Sequence, residues 1–285
     1  FDVAFQDSLR GIHGPKSDKD LLAFLTAYLR SPLAKYYLFH TSSSWGIGRP
    51  YVSVQELLRL PVPFPDQQLN PKRCHEIVKK VSKIIEETAN KAKESFMDRS
   101  GIVADATAKI EPLIYEYFDI QPLERLLIED TLNVILPSIQ PNHKRMPVPT
   151  VKASTADQRD AFMNRVCEML NMWAKSGPSI VRGKTFADDK LGIGMAVLEK
   201  ISRSEAKSPM NSVEENILQS LDRLRKAVSQ QRVTINPVRG LMVFNQNRLY
   251  ILKPIAQRHW TQTAALNDAD EIASTLLMHS YKERA

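Results

Sequence analysis

Several things are missing from this 285-residue chain, and each absence closes off a class of function. There is no GxxxxGK[ST] phosphate loop and no GxGxxG after a strand, so the common nucleotide-cradling signatures are excluded. The six histidines form no HExxH and no clustered ligand set, so no metal site is expected. Cysteine is almost absent. Cys74 and Cys167 lie far apart and form no CxxC pair, which excludes a disulfide framework and points to a reducing, cytoplasmic setting. No apolar run reaches membrane-spanning length and no signal-peptide pattern is present, so no membrane partner is expected. The chain begins at Phe1 and not at Met, as expected of a piece of a longer polypeptide. Glycine is sparse, and "GIG" occurs twice, at Gly46–Gly48 and Gly192–Gly194. Two glycines alone read as turn or strand flexibility.

What is present is an ordinary globular composition, 43% hydrophobic and 25% charged, with a basic excess of +7 and a pI near 9.3. That excess fits an anionic partner and equally fits a mildly basic protein with none. The periodicities give an α+β chain. Its expected parts are a compact mixed α/β unit over 1–65, a helical spacer over 66–140, a linker over 141–155 and an antiparallel α+β domain over 156–285.

In the first part, Ser17 with Asp20 reads as a helix cap before the apolar face of Leu21, Leu22, Leu25, Tyr28 and Leu29. Ser31–Pro32 breaks or restarts that helix. Tyr36–Phe39 suits a buried strand or a helix end. Ser53 and Glu56 form a capping box for a helix through Leu60, and "PVPFP" leaves it as an extended segment. Over 71–98 a helix carries a coiled-coil-like stripe of about three heptads through Val78, Val81, Ile85, Thr88, Ala92 and Ser95. Ser100–Gly101 is expected to break it. A second helix then carries Val103 to Tyr117 with Pro112 inside, and a third runs from about Pro122 to Leu136. The proline-rich stretch after it leaves Lys144, Arg145 and Lys152 exposed. Beyond it the order reads α-β-β-α-β-β-α: helix 156–174, strands "SIVRGKTF" and "GIGMAVLEKI", helix 213–230, the hairpin of "GLMVF" and "RLYILKP", and a closing helix N-capped by Asn267.

Chemistry has two candidate locations. Asp188, Asp189, Glu199 and Lys200 are the residue types of a metal nuclease. The spacing is Glu-Lys and not Glu-x-Lys, however, so a strand would point the last two to opposite faces. The stretch "HTSSSWGIGRP" is different in kind. Ser43 and Ser44 offer short-reach donors and acceptors, Arg49 a forked cation for phosphate or a guanine edge, and Trp45 a ring to stack or to anchor the loop. A capped surface loop over a buried Trp45 accounts for the same residues. Lys35 and Arg10 would extend a positive surface.

"LLAFLTAYLRSPLAKYYLFHTSSSWGIGRPYVSVQELLRLPVPFP", followed by a long helix, resembles the target-recognition half of adenine-N6 DNA methyltransferases of restriction–modification systems. "YEYFDIQPLERLLIEDTLNVILPS" and "LYILKPIAQRHWTQTAALNDADEIASTLL" resemble the segments after the spacer in large single-chain members, so the resemblance touches most of the chain. The family's catalytic Asn/Asp-Pro-Pro-aromatic motif and its glycine-rich S-adenosylmethionine loop are both absent. Base flipping and methyl transfer need both. The resemblance therefore implies a recognition and scaffolding piece with no catalytic residues and no cofactor of its own. S-adenosylmethionine belongs to the full-length parent, and double-stranded DNA is the expected partner. The implied DNA contacts are Arg10, Lys35, Ser43, Ser44 and Arg49. The rival expectation is a protein-interaction module whose helices dock a restriction subunit or the missing methyltransferase domain.

Overall fold

The computed structural model describes residue 12 and residues 14–43, 52–95, 98–140, 151–205, 210, 241–245 and 247–282, without the side chains of 245 and 279–282. Its contacts divide the chain into two units, Phe1–Leu132 and Asn133–Ala285. The fold is mixed α+β, with helices in both units and one antiparallel sheet in the second.

Local chemistry sets the helix starts of the first unit. α1 is Lys19–Arg30. Ser17 does not cap it: a 3-10 turn, Lys16–Asp18, intervenes, and the Ser17 hydroxyl donates to Asp18 Oδ1 at 2.9 Å. α2, Pro32–Thr41, restarts at once. The Ser31 Oγ accepts from the Ala34 amide at 3.2 Å, and Pro32 occupies the first helical position, where its missing N–H costs nothing. Tyr36–Phe39 is therefore helical, and among the described residues the expected mixed α/β unit of 1–65 holds helices and no strand. α3, Val54–Leu57, carries the expected Ser53–Glu56 capping box and is shorter than the pattern suggested. Residues 61–64 lie in no helix or strand, Phe64 is extended, and the Pro63 carbonyl accepts the Tyr117 hydroxyl at 2.7 Å.

α4, Pro71–Glu94, starts on Asn70, whose Oδ1 accepts from the Arg73 amide. α5, Arg99–Tyr117, begins before Ser100–Gly101, so those two residues sit in its first turn and do not break a helix. Pro112 lies inside α5 and offers no N–H to the carbonyl one turn back. The helix ends in a Schellman motif. Asp119 takes φ 52°, its amide bonds to the Glu116 carbonyl, and the Ile120 amide bonds to the Tyr115 carbonyl. α6 is Pro122–Asp130, followed by a π-helical turn, Thr131–Ile135, and by α7, Leu136–Ile139. One core joins the two stretches of this unit: Phe24, Tyr28, Ala34 and Leu38 pack with Cys74, Ile77, Val78, Val81, Ile114 and Tyr117.

The second unit takes in α7 and goes on to α8, Ala156–Trp173, capped by a reciprocal Thr155–Gln158 box. β1, Ser179–Asp188, and β2, Ile193–Ser202, form the first hairpin. β3, Leu241–Asn245, and β4, Arg248–Pro254, form the second. All pairs are antiparallel, in the order β1-β2-β4-β3. α9, Gln262–Lys282, closes the unit. It begins five residues before Asn267, so Asn267 is not its cap. The Thr261 Oγ1 accepts from the Ala264 amide and does that work. The expected helix at 213–230, and Lys144 and Arg145, lie outside the described residues. Lys152 is exposed, as expected.

Strand alternation sorts the sheet's two faces. Ala196, Leu198, Leu249 and Ile251 meet Phe162, Val166, Trp260, Ala265 and Ala269 from the helical side. Met195 and Val197 are fully buried on the other face, beside Phe186, Tyr250 and Leu252. The second "GIG" belongs to this packing. Gly192 takes φ +66°, which favours glycine. A Cβ on Gly194 would fall 2.3 Å from the Trp260 ring. Among the described residues no helix is long and apolar enough to cross a membrane, and both cysteines are free thiols. Burial pushes the Cys167 thiol up to about 12, which leaves it an unreactive core group.

Candidate nucleic-acid interface

The hydroxyl-rich stretch is tied down by one carboxylate. Glu56 Oε1 accepts the Ser43 amide at 2.7 Å and the Ser43 hydroxyl at 2.9 Å. Glu56 Oε2 accepts the Ser53 amide at 2.8 Å, and the Ser53 Oγ accepts the Glu56 amide at 3.2 Å. The capping box that starts α3 is thus extended backwards to the exit of α2, and the two ends of the segment between Ser43 and Ser53 meet at the same side chain. The Ser53 amide foremost, then the hydroxyls of Ser43 and Ser53, hold this carboxyl well below the usual carboxylate range. It is an anion under all ordinary conditions.

This changes what Ser43 can offer. Its residue is exposed, but its hydroxyl proton is already given to Glu56, which leaves the oxygen as an acceptor. Lys35 is exposed on α2, roughly two helical turns before Ser43, between the buried Ala34 and Leu38. Its ammonium sits on the outer side of the helix while its neighbours enter the core. Arg10, Ser44, Trp45 and Arg49 lie outside the described residues. The structure therefore brings Ser43 and Lys35 to one helix and its exit. Glu56, which the sequence assigned only to a cap, is the residue that ties Ser43 to Ser53. Its i, i+3 relation to Ser53 was readable. Its second bond, thirteen positions back to Ser43, was not.

The second unit holds two charge clusters that no sequence motif announced. Arg182, Glu199 and Arg248 stand in one cross-strand row on β1, β2 and β4. Arg182 donates to Glu199 Oε2 from Nε at 2.9 Å and from Nη2 at 2.7 Å. Arg248 donates to Oε1 from Nε at 3.0 Å and from Nη2 at 2.8 Å. Burial pulls the Glu199 carboxyl up, but the hydrogen bonds and charges of the two guanidinium groups outweigh it, and the net direction is down. Both oxygens are engaged by cations, so this carboxylate is not a metal ligand. Lys200 is exposed while Glu199 is buried, as strand alternation required. No group of three or more potential metal ligands occurs among the described residues.

The second cluster pairs Lys253 on β4 with Asp268 on α9. The Lys253 ammonium also donates to the His259 carbonyl at 3.3 Å and lies 4.6 Å over the Phe162 ring. Burial raises the Asp268 carboxyl against the opposing pull of Lys253. A cavity of about 500 Å³ opens above the pair, with Arg258, Asn267 and Glu271 in its walls.

In the first unit a second cavity, about 380 Å³, runs between α1, α4 and α5. Ala27, Ile85, Ala92 and Ala106 give it a mainly apolar lining, with Arg30 and Glu111 at its walls. The expected heptad stripe of α4 divides here. Ile77, Val78 and Val81 are buried in the core, whereas Ile85, Thr88 and Ala92 are only half-buried and Ala89 is exposed.

Of the two glycine pairs, only the second lies among the described residues. Gly46 and Gly48 lie outside the described residues, Gly192 turns a hairpin, and Gly194 is filled by Trp260. Compared with known proteins, the chain matches no family model, no curated protein and no solved structure.

Proposed function

We propose that this chain is a DNA-recognition and scaffolding piece of a site-specific adenine-N6 DNA methyltransferase of a restriction–modification system. The observation that carries the reading is the Glu56 brace. One ionised carboxylate fixes both flanks of the Ser–Trp–Arg stretch, so that stretch is presented from a rigid base at the exit of a helix that also exposes Lys35. Rigid presentation lowers the ordering cost of a polar contact. The brace itself is anionic and repels phosphate. The attraction therefore falls to Lys35, Arg49 and Arg10, and Ser43 and Ser44 supply short polar contacts. The +7 excess supports the same partner. The absent Asn/Asp-Pro-Pro motif and glycine-rich loop assign methyl transfer and S-adenosylmethionine to another part of the parent.

A second reading has its own observation. The apolar cavity between α1, α4 and α5 suits a helix of a restriction subunit or of the missing methyltransferase domain. A salt series on duplex DNA binding separates the two. Phosphate contacts make log K fall linearly with log salt, and an Arg49→Ala or Lys35→Ala chain should lose about one unit of slope if it loses one phosphate contact. If Arg49 instead reads a base, its loss relaxes specificity at one position and costs about 1–3 kcal/mol. Affinity that is absent, or indifferent to salt and to both substitutions, overturns the DNA reading.

A further inference from the structure

We infer that the cavity above the Lys253–Asp268 pair in the second unit is a binding site for a small zwitterion of the amino-acid class, with the ligand's ammonium on Asp268 and Glu271 and its carboxylate on Arg258. The inference does not rest on the DNA reading. Its starting point is a cost. Lys253 and Asp268 are 8% and 9% exposed, and taking two charges out of water is repaid only where their remaining donors and acceptors are also used. A cavity of about 500 Å³ opens onto this pair, within the size range that holds a small molecule. Its apolar wall is the cross-strand pair of Met242 and Ile251, joined by Ala264 of α9.

The polar groups that line the cavity decide what it can take. Lys253 has three N–H donors. One goes to Asp268 and one to the His259 carbonyl, and the ammonium lies over the Phe162 ring, so no strong donor is left for an anion. Asp268 has acceptor capacity beyond that single ammonium. Glu271 stands three positions further along α9, on the same face, and its exposed side chain makes no ion pair among the described residues. Burial raises the Asp268 carboxyl, Lys253 opposes this and Glu271 adds to it, so one cation does not compensate two carboxylates. A ligand-borne ammonium supplies the second. Arg258, in the 3-10 turn Gln257–His259, donates its Nε to His259 Nε2 at 3.4 Å and keeps its Nη groups for an oxyanion. The His259 ring, accepting on Nε2, is neutral in this arrangement. The charged walls are thus two cations, Lys253 and Arg258, and two anions, Asp268 and Glu271, with the neutral amide of Asn267 beside them. A ligand with one charge of each sign keeps that balance, whereas a lone cation or anion upsets it.

The test is isothermal titration calorimetry of the 285-residue chain with L-leucine, whose two charges share one carbon, and with ε-aminocaproate, whose charges stand a chain apart. At least one of the two should bind saturably with Kd below about 10 mM, and which one binds sets the charge separation the site accepts. Pentylamine and hexanoate, which carry one charge each, should bind at least about tenfold more weakly. Glu271→Gln and Arg258→Gln change exposed side chains and should leave Tm where it is while each weakens binding about tenfold. Asp268→Asn should abolish binding. It also leaves Lys253 without its counter-charge, so the two exposed variants decide if that chain fails to fold. Neither amino acid binding overturns the inference. So does pentylamine or hexanoate binding as tightly as the amino acids, or wild-type affinity in either Glu271→Gln or Arg258→Gln.

Discussion

Replacing Glu199 by alanine should unfold the second unit at a clearly lower temperature, and the size of the effect can be worked from the geometry. The Glu199 side chain is 8% exposed, and the two guanidinium groups that share it, Arg182 and Arg248, are 22% and 15% exposed. Removing the carboxylate deprives two half-buried cations of their common counter-charge. Breaking a buried ion pair by deleting one member costs about 3–5 kcal/mol, and the partial exposure of the arginines argues for the lower end, about 3 kcal/mol. For a unit of roughly 150 residues that corresponds to a fall of about 6–12 °C in Tm. Replacing all three residues by methionine removes the charges together and should leave stability within about 1 kcal/mol of wild type or better. Trp260, buried and edge-on to Phe162 at 5.1 Å, reports this unit by fluorescence once Trp45 and Trp173 are replaced by phenylalanine. The pH dependence carries a sign. The folded Glu199 carboxyl titrates below its unfolded value, so its contribution is complete above the ordinary glutamate pKa of about 4.3 and is lost as pH falls through the lower folded value. A Glu199→Ala chain within about 1 kcal/mol of wild type at neutral pH, or a triple variant less stable than the single, would refute the argument.

Other outcomes follow from packing and capping. Val81→Asp puts a carboxylate into a site with no solvent exposure and should cost roughly 3 kcal/mol or more, read by urea denaturation of the first unit. Gly194→Ala drives a methyl group into the Trp260 ring and should cost about 1–3 kcal/mol. Gly183→Ala meets the flexible end of Met163 and should cost less, so equal Tm losses would contradict the packing described. Ser53→Ala removes the α3 cap and should cost about 1 kcal/mol. Glu56→Ala should speed amide hydrogen exchange at Ser43 and Ser53 together. Acceleration at only one of them would mean that the two ends are held separately.

Features with a short sequence span were readable in advance. The Ser53–Glu56 box, the start of α4 at Pro71 and the hairpin of β3 and β4 each depend on residues a few positions apart. Two cap assignments failed for the same reason. Ser17 and Asn267 are good cap types, but each had a competitor nearby. Asp18 took the Ser17 hydroxyl, and Thr261 opened α9 early enough for Ala265 and Ala269 to reach the sheet. Ser100–Gly101 looked like a breaker, yet a first helical turn tolerates glycine because its amides have no helical partner to lose. The Arg182–Glu199–Arg248 row was not legible at all. It exists only once three strands, 17 and 49 positions apart in sequence from Glu199, are in register.

The Glu56 brace also bears on how this segment can change over generations. Both ends of the stretch from Ser43 to Ser53 are pinned by one side chain that belongs to the helix after it. Any replacement for the residues in between therefore departs from and returns to the same two points, and the added closure cost of a longer insert grows only as the logarithm of its length. The brace sets the two ends of the stretch without reference to the residues between them. A library randomised at 44–51 with Ser43, Ser53 and Glu56 kept should retain folded members at high frequency, whereas the same diversity with Glu56 randomised should not.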